Sequence, residues 1–119
     1  MTQVKTYSLL GNALDWAVAK AECRRERRSS WLGAVGCFVG PPPTAFKPSR
    51  NPAQGWPILN RAKISRTIDH SGQWLAYYSY NYDDAKEHMQ CHSSELVAGL
   101  RCFVAMRLGD TVDIPMDLL

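Results

Sequence analysis

The stretch KEHMQCH, residues 86–92, places three good metal ligands within five positions: His88, Cys91 and His92. On a helix, His88 and His92 at i and i+4 would share a face, as in a helical zinc dyad. A structural zinc takes four protein ligands and a catalytic zinc three. The helix that this geometry requires is missing from the pattern, because the next helical signals begin only at Ser94. The heptapeptide is therefore expected to be a polar connecting loop, where i, i+4 spacing confers no shared face. No metal and no other cofactor is expected; His88, Cys91 and His92 are the candidates if one binds.

Other groupings could do different chemistry. In CRRERRSSW, the side chains of Arg24, Arg25, Arg27 and Arg28 could neutralise phosphates, and Trp31 could stack on a base. The plainer reading is a solvated helix end, and nucleic acid is not the favoured partner. Asp15 lies beside an apolar stripe and precedes Trp16, whose N–H would seek a partner if buried. Arg101 stands one step off the apolar stripe of the last helix, placed for a carboxylate or phosphate. A structural Asp15–Arg101 pair between helices is the matching expectation. No GxSxG, phosphate-binding glycine loop or HExxH occurs, so no catalytic residue is nominated.

The elements that must position these residues follow from periodicity. Leu10, Leu14, Ala17, Val18 and Ala21 recur at helical spacing within residues 9–28, with Gly11 or Asn12 as the start and arginines at the end. Residues 40–57, GPPPTAFKPSRNPAQGWP, hold six of the seven prolines and predict a long loop without helix or central strand. Pro57 then starts a short helical turn. KISRTIDHSGQWLAYYSY reads as a hairpin turning at Ser71-Gly72, with Ile64 and Ile68 on one side. Leu96, Val97, Leu100, Phe103, Val104 and Leu108 form an apolar helical stripe, N-capped by Ser94 and stopped at Gly109. TVDIPM adds a short edge strand. The sum is an α+β fold, a single domain over residues 1–119: two main helices on a small, mainly antiparallel sheet, with a long proline-rich loop.

Bulk properties agree. The 119 residues suffice for one core without staples. A net charge of +3 is less than dedicated nucleic-acid binders carry. No apolar run approaches the ~20 residues of a membrane span, and no signal pattern opens the chain, so a cytoplasmic place is expected. Four cysteines spaced 14, 54 and 11 residues apart make no CxxC pair and are expected as free, mostly buried thiols.

Three segments together, GNALDWAVAKAE, AQGWPILNRAKIS and LVAGLRCFVAMRLGDTVDIP, resemble a family of small tailed-phage and prophage proteins, the NinX-like family. The resemblance spans most of the chain, with the blocks in family order. It departs before the central block, where Asn51 stands in place of an acid and the aromatic has moved to Trp56. The resemblance implies a phage accessory protein in the bacterial host cell and brings no enzymatic activity with it. The expectation is a non-enzymatic protein that binds a host protein complex through the proline-rich loop, using Asp15, Trp16, Asn51, Gln54, Trp56 and Arg101. By analogy with small phage proteins, that binding would counter host defence. The alternatives are a small nucleotide-like ligand and, third, nucleic acid at the arginine run. Self-association is a further expectation, since four tryptophans and five tyrosines exceed what a small core needs.

Overall fold

A computed structural model describes residues 2–26, 38–39, 44–78 and 89–119. Of the residues singled out above, Arg27, Arg28, Trp31 and His88 lie outside these, as do the side chains of Arg24 and Arg25. The architecture is α+β. Helices α1 (Gly11–Glu26), α2 (Pro52–Ala62) and α3 (Glu95–Leu108) pack with short antiparallel strands. Strands β1 (Thr2–Lys5) and β7 (Thr111–Ile114) pair across the termini; β2 (Phe38–Val39) pairs β3 (Thr44–Ala45). Strands β4 (Ser65–Ile68), β5 (Trp74–Tyr77) and β6 (Gln90–His92) form a three-stranded sheet in that order.

Helix α3 is the centre. Every residue from Leu96 to Ala105 is buried, not only the expected stripe. It packs against α1, α2, β5 and β6 at once, and a helix covered on all sides needs apolar or small residues all round. Ala98, Gly99, Cys102 and Ala105 supply them. Its start is as expected: the Ser94 hydroxyl accepts from the Val97 N–H, and Glu95 sits in the first turn. Gly109 ends it at φ +94°, a region that L side chains avoid. Helix α1 is buried in the same way from Ala13 to Ala19.

The hairpin is present, with its turn built by Asp69. The Asp69 carboxylate accepts from the Ser71 N–H and hydroxyl and the Gln73 N–H, which holds it below its ordinary range. Ile64 and Ile68 differ in exposure: Ile64 is core, whereas Ile68 at the far end of β4 is exposed.

Three points depart from what the sequence led us to expect. The proline-rich loop does not extend to residue 57. Residues 40–43 lie outside the described part, 44–45 are strand, and 52–57 are the first half of α2. Pro52 occupies the first helical turn, where a missing N–H costs nothing, and the Asn51 side chain caps the helix by accepting from Ala53 N–H at 3.1 Å. Pro57 is inside the helix and deprives the Ala53 carbonyl of its donor; both residues are exposed, so water can serve that oxygen. Second, residues 90–92 are not loop but β6, with His92 opposite Trp74 and Cys91 opposite Leu75. The pairing comes from the exposed edge of β5, which a polar three-residue strand satisfies without any apolar alternation. Third, β1 has no counterpart among the expected elements. Thr6, just after it, is fully buried and ties it down: its N–H reaches Asp110 O at 2.8 Å and its hydroxyl reaches Gly109 O at 2.7 Å.

Candidate functional site

The candidate residues converge in part. Residues 47–51 form a tight turn in which the Arg50 and Asn51 N–H groups donate to Lys47 O at 3.0 and 2.8 Å. Side chains from two helices clasp this turn. From α2, Gln54 Oε1 accepts the Lys47 N–H at 2.7 Å. From α1, Asp15 accepts the Ser49 N–H at 2.8 Å and the Arg50 guanidinium at 3.1 Å. Asn12 on the same helix accepts from Arg50 at 2.6 Å. Asp15 is 3% exposed, so its charge is stabilised by these donors rather than by water. Asp15, Asn51 and Gln54 therefore meet at one junction between α1 and α2, and Pro48 within the turn is buried.

The other three candidates stand apart from that junction. Trp16 is 5% exposed in the core, with the Lys20 ammonium 5.3 Å from its ring centre. Trp56 is half-buried, with the Arg66 guanidinium 4.9 Å from its ring centre. Arg66 also donates to Glu95 at 3.1 Å and to Ile64 O, linking α2, β4 and α3. Arg101 is 5% exposed and does not pair with Asp15. Its Nε donates to Leu9 O at 2.8 Å and a terminal nitrogen to Cys91 O at 3.4 Å. The reason is positional: the turn at 47–51 takes the Asp15 carboxylate, and Arg101 answers the buried Leu9 carbonyl and the part-buried Cys91 carbonyl instead. Burial lowers its pKa, yet an arginine stays charged at neutral pH.

Cys91 and His92 are neighbours on a strand, so their side chains leave on opposite faces. His92 Nδ1 accepts the Ser94 N–H at 2.9 Å, and burial followed by the nearby Arg101 charge hold its pKa below the ordinary value. Among the described residues no group of three His, Cys, Asp or Glu stands together to hold a metal. The two described thiols divide into exposed Cys91 and buried Cys102, the latter pushed up to about 12 by burial.

Several residues carry more than sequence reasoning assigned them. Glu22 on α1 is 2% exposed and accepts from the Arg61 guanidinium, while its second carboxylate oxygen has no hydrogen-bond partner among the described residues. Nothing in the sequence singles out Arg50, Arg66 or Glu22, because no local spacing announces a partner that is more than 25 residues away.

Fold and site define a small α+β domain that displays an internally braced surface turn. The chain belongs to the family described as Bacteriophage P22, NinX, whose sequence model matches residues 5–107. That places it among phage accessory proteins. No curated protein matches the chain. No helix among the described residues is long and apolar enough to cross a membrane.

Proposed function

We propose that this phage accessory protein acts without catalysis, by binding a host protein complex and modulating or inhibiting it, in the manner of a counter-defence factor. The observation that supports this is the braced turn leading into α2. Asp15, Asn12 and Gln54 hold residues 47–51 in place, while Arg50, Asn51, Pro52 and Ala53 face solvent. A surface segment ordered before contact costs less entropy on binding than a mobile one. The polar groups of the junction are engaged in internal bonds, which suits recognition better than turnover. A cytoplasmic place in the bacterial host and self-association belong to the same proposal.

The test is affinity capture from host cells with the tagged protein, with bound proteins identified by mass spectrometry. Ala53→Arg alters the exposed start of α2, and Asn60→Arg alters an exposed position near its end. A host protein retained by wild type and by Asn60→Arg, and lost with Ala53→Arg, is the expected result. Equal retention by all three, or no host protein at physiological salt, refutes the reading.

A further inference from the structure

A pocket of about 330 Å³ opens where the ends of α2, β5 and α3 meet, away from the braced turn. Its lining is Arg61, Ala62 and Lys63 from the end of α2, Tyr78 just past β5, and Met106 and Arg107 from the last turn of α3. That volume is at the lower end of what small-ligand sites occupy. Three of the six side chains are cationic and none is acidic.

Helix dipoles account for a cation at each helix end. They do not account for three cations from two helices lining the same concavity, where like charges repel. Two of the three cations are also held in place. The buried Glu22 carboxylate fixes the Arg61 guanidinium, and the Arg107 guanidinium lies 5.7 Å from the Phe103 ring centre; the Lys63 backbone ends α2 at a left-handed φ of 57° and its side chain is exposed at the pocket rim. Glu22 compensates one of the three charges. Among the described residues no carboxylate pairs with Lys63 or Arg107, so a surplus of two positive charges faces the pocket.

We infer that this pocket binds the phosphate group of a small phosphorylated ligand. A phosphate monoester carries roughly −1.5 to −2 charges at neutral pH and three acceptor oxygens, which matches a surplus of two cations. Arginine and lysine are the side chains that hold such oxygens. Tyr78 and Met106 offer an aromatic and a soft apolar surface to whatever the phosphate is attached to. This site is separate from the partner-binding turn, and either can fail without the other.

The experiment is calorimetric titration of the full chain with inorganic phosphate, adenosine monophosphate, adenosine, and a single-stranded ten-nucleotide DNA without terminal phosphates. Lys63→Asn combined with Arg107→Gln removes the surplus; asparagine tolerates the left-handed backbone at position 63. Lys5→Gln combined with Lys47→Gln, at exposed positions elsewhere, is the charge-matched control. Circular dichroism verifies that both variants fold. Phosphate and the monophosphate are expected to bind, and adenosine is not. The pocket variant is expected to weaken binding roughly tenfold or more, the effect of losing about one charge-assisted hydrogen bond, and the control less than about threefold. A monophosphate that binds more tightly than phosphate assigns the ester as ligand; equal affinities assign the bare phosphate. No binding at millimolar ligand, binding of adenosine as strong as the monophosphate, or equal loss in the control overturns the inference. Tighter binding of the DNA than of the monophosphate also overturns it, in favour of a nucleic-acid groove.

Discussion

Gly55 tests whether the braced turn is as tightly built as its bonds imply. It lies in α2, against the turn at 47–51 and against α3. A Cβ at this position would stand 2.5 Å from the Pro48 carbonyl oxygen and 2.7 Å from Leu96 Cδ1. A comfortable carbon–oxygen contact is about 3.3–3.6 Å, so roughly 1 Å must be found. Leu96 can rotate part of the way, but the Pro48 oxygen belongs to the backbone. That backbone is tied to α2 by the 2.7 Å Lys47–Gln54 bond and to α1 by the 2.8 Å Ser49–Asp15 bond. Moving the turn strains both. Gly55→Ala gains about 1 kcal/mol of helix propensity. Overpacking costs about 1–3 kcal/mol, and weakening the part-buried hydrogen bond to the Asp15 carboxylate adds about 1 kcal/mol. The losses win, and the variant is expected to be about 1–3 kcal/mol less stable. Urea unfolding followed by tryptophan fluorescence reads this directly, with Asn60→Ala on the exposed face of α2 as the propensity reference. A Gly55→Ala protein as stable as wild type, or more so, would refute the claim that the turn is clasped.

Three further outcomes are expected. Arg101→Met should cost about 2–4 kcal/mol in the same unfolding assay, because the buried Leu9 carbonyl and the part-buried Cys91 carbonyl lose their donor; a loss under about 1 kcal/mol would show that water replaces the guanidinium. The folded-state pKa of His92 lies below the ordinary 6.5, so its contribution is complete above that value and declines as pH falls below it, when the unfolded chain takes up the proton first. Protonation also turns Nδ1 from acceptor into donor against the Ser94 N–H. The urea midpoint should therefore drop between pH 7.5 and 5.5, and drop less in His92→Gln; equal drops exclude His92 as the source. In a Cys23→Ser, Cys37→Ser background, one thiol should react promptly with a chromogenic disulfide and the second only on unfolding, since Cys91 is exposed and Cys102 is buried with a raised pKa. Two fast thiols would contradict that burial.

Local signals settled much of the architecture. Alanine- and leucine-rich spacing marks α1, the Ser94–Glu95 start and Gly109 stop bracket α3, and Ser71-Gly72 between β-favouring runs marks the β4–β5 hairpin. Each of these depends on residues within a few positions of one another, and that is the range over which capping, turn chemistry and periodicity act. Tertiary structure decided the rest. The stretch 52–57 reads as loop because of its prolines, yet Asn51 caps it and solvent tolerates the gap at Pro57, so it is helix. KEHMQCH reads as loop because it lacks an apolar pattern, yet the open edge of β5 recruits residues 90–92 as a strand. The partners of the charged residues were the least legible: Asp15 with Arg50, Glu22 with Arg61, Arg66 with Glu95, and Arg101 with two carbonyls. A charge in a sequence carries no range or direction. Its partner is chosen by which elements pack together, and by the cost of leaving a buried ion without one.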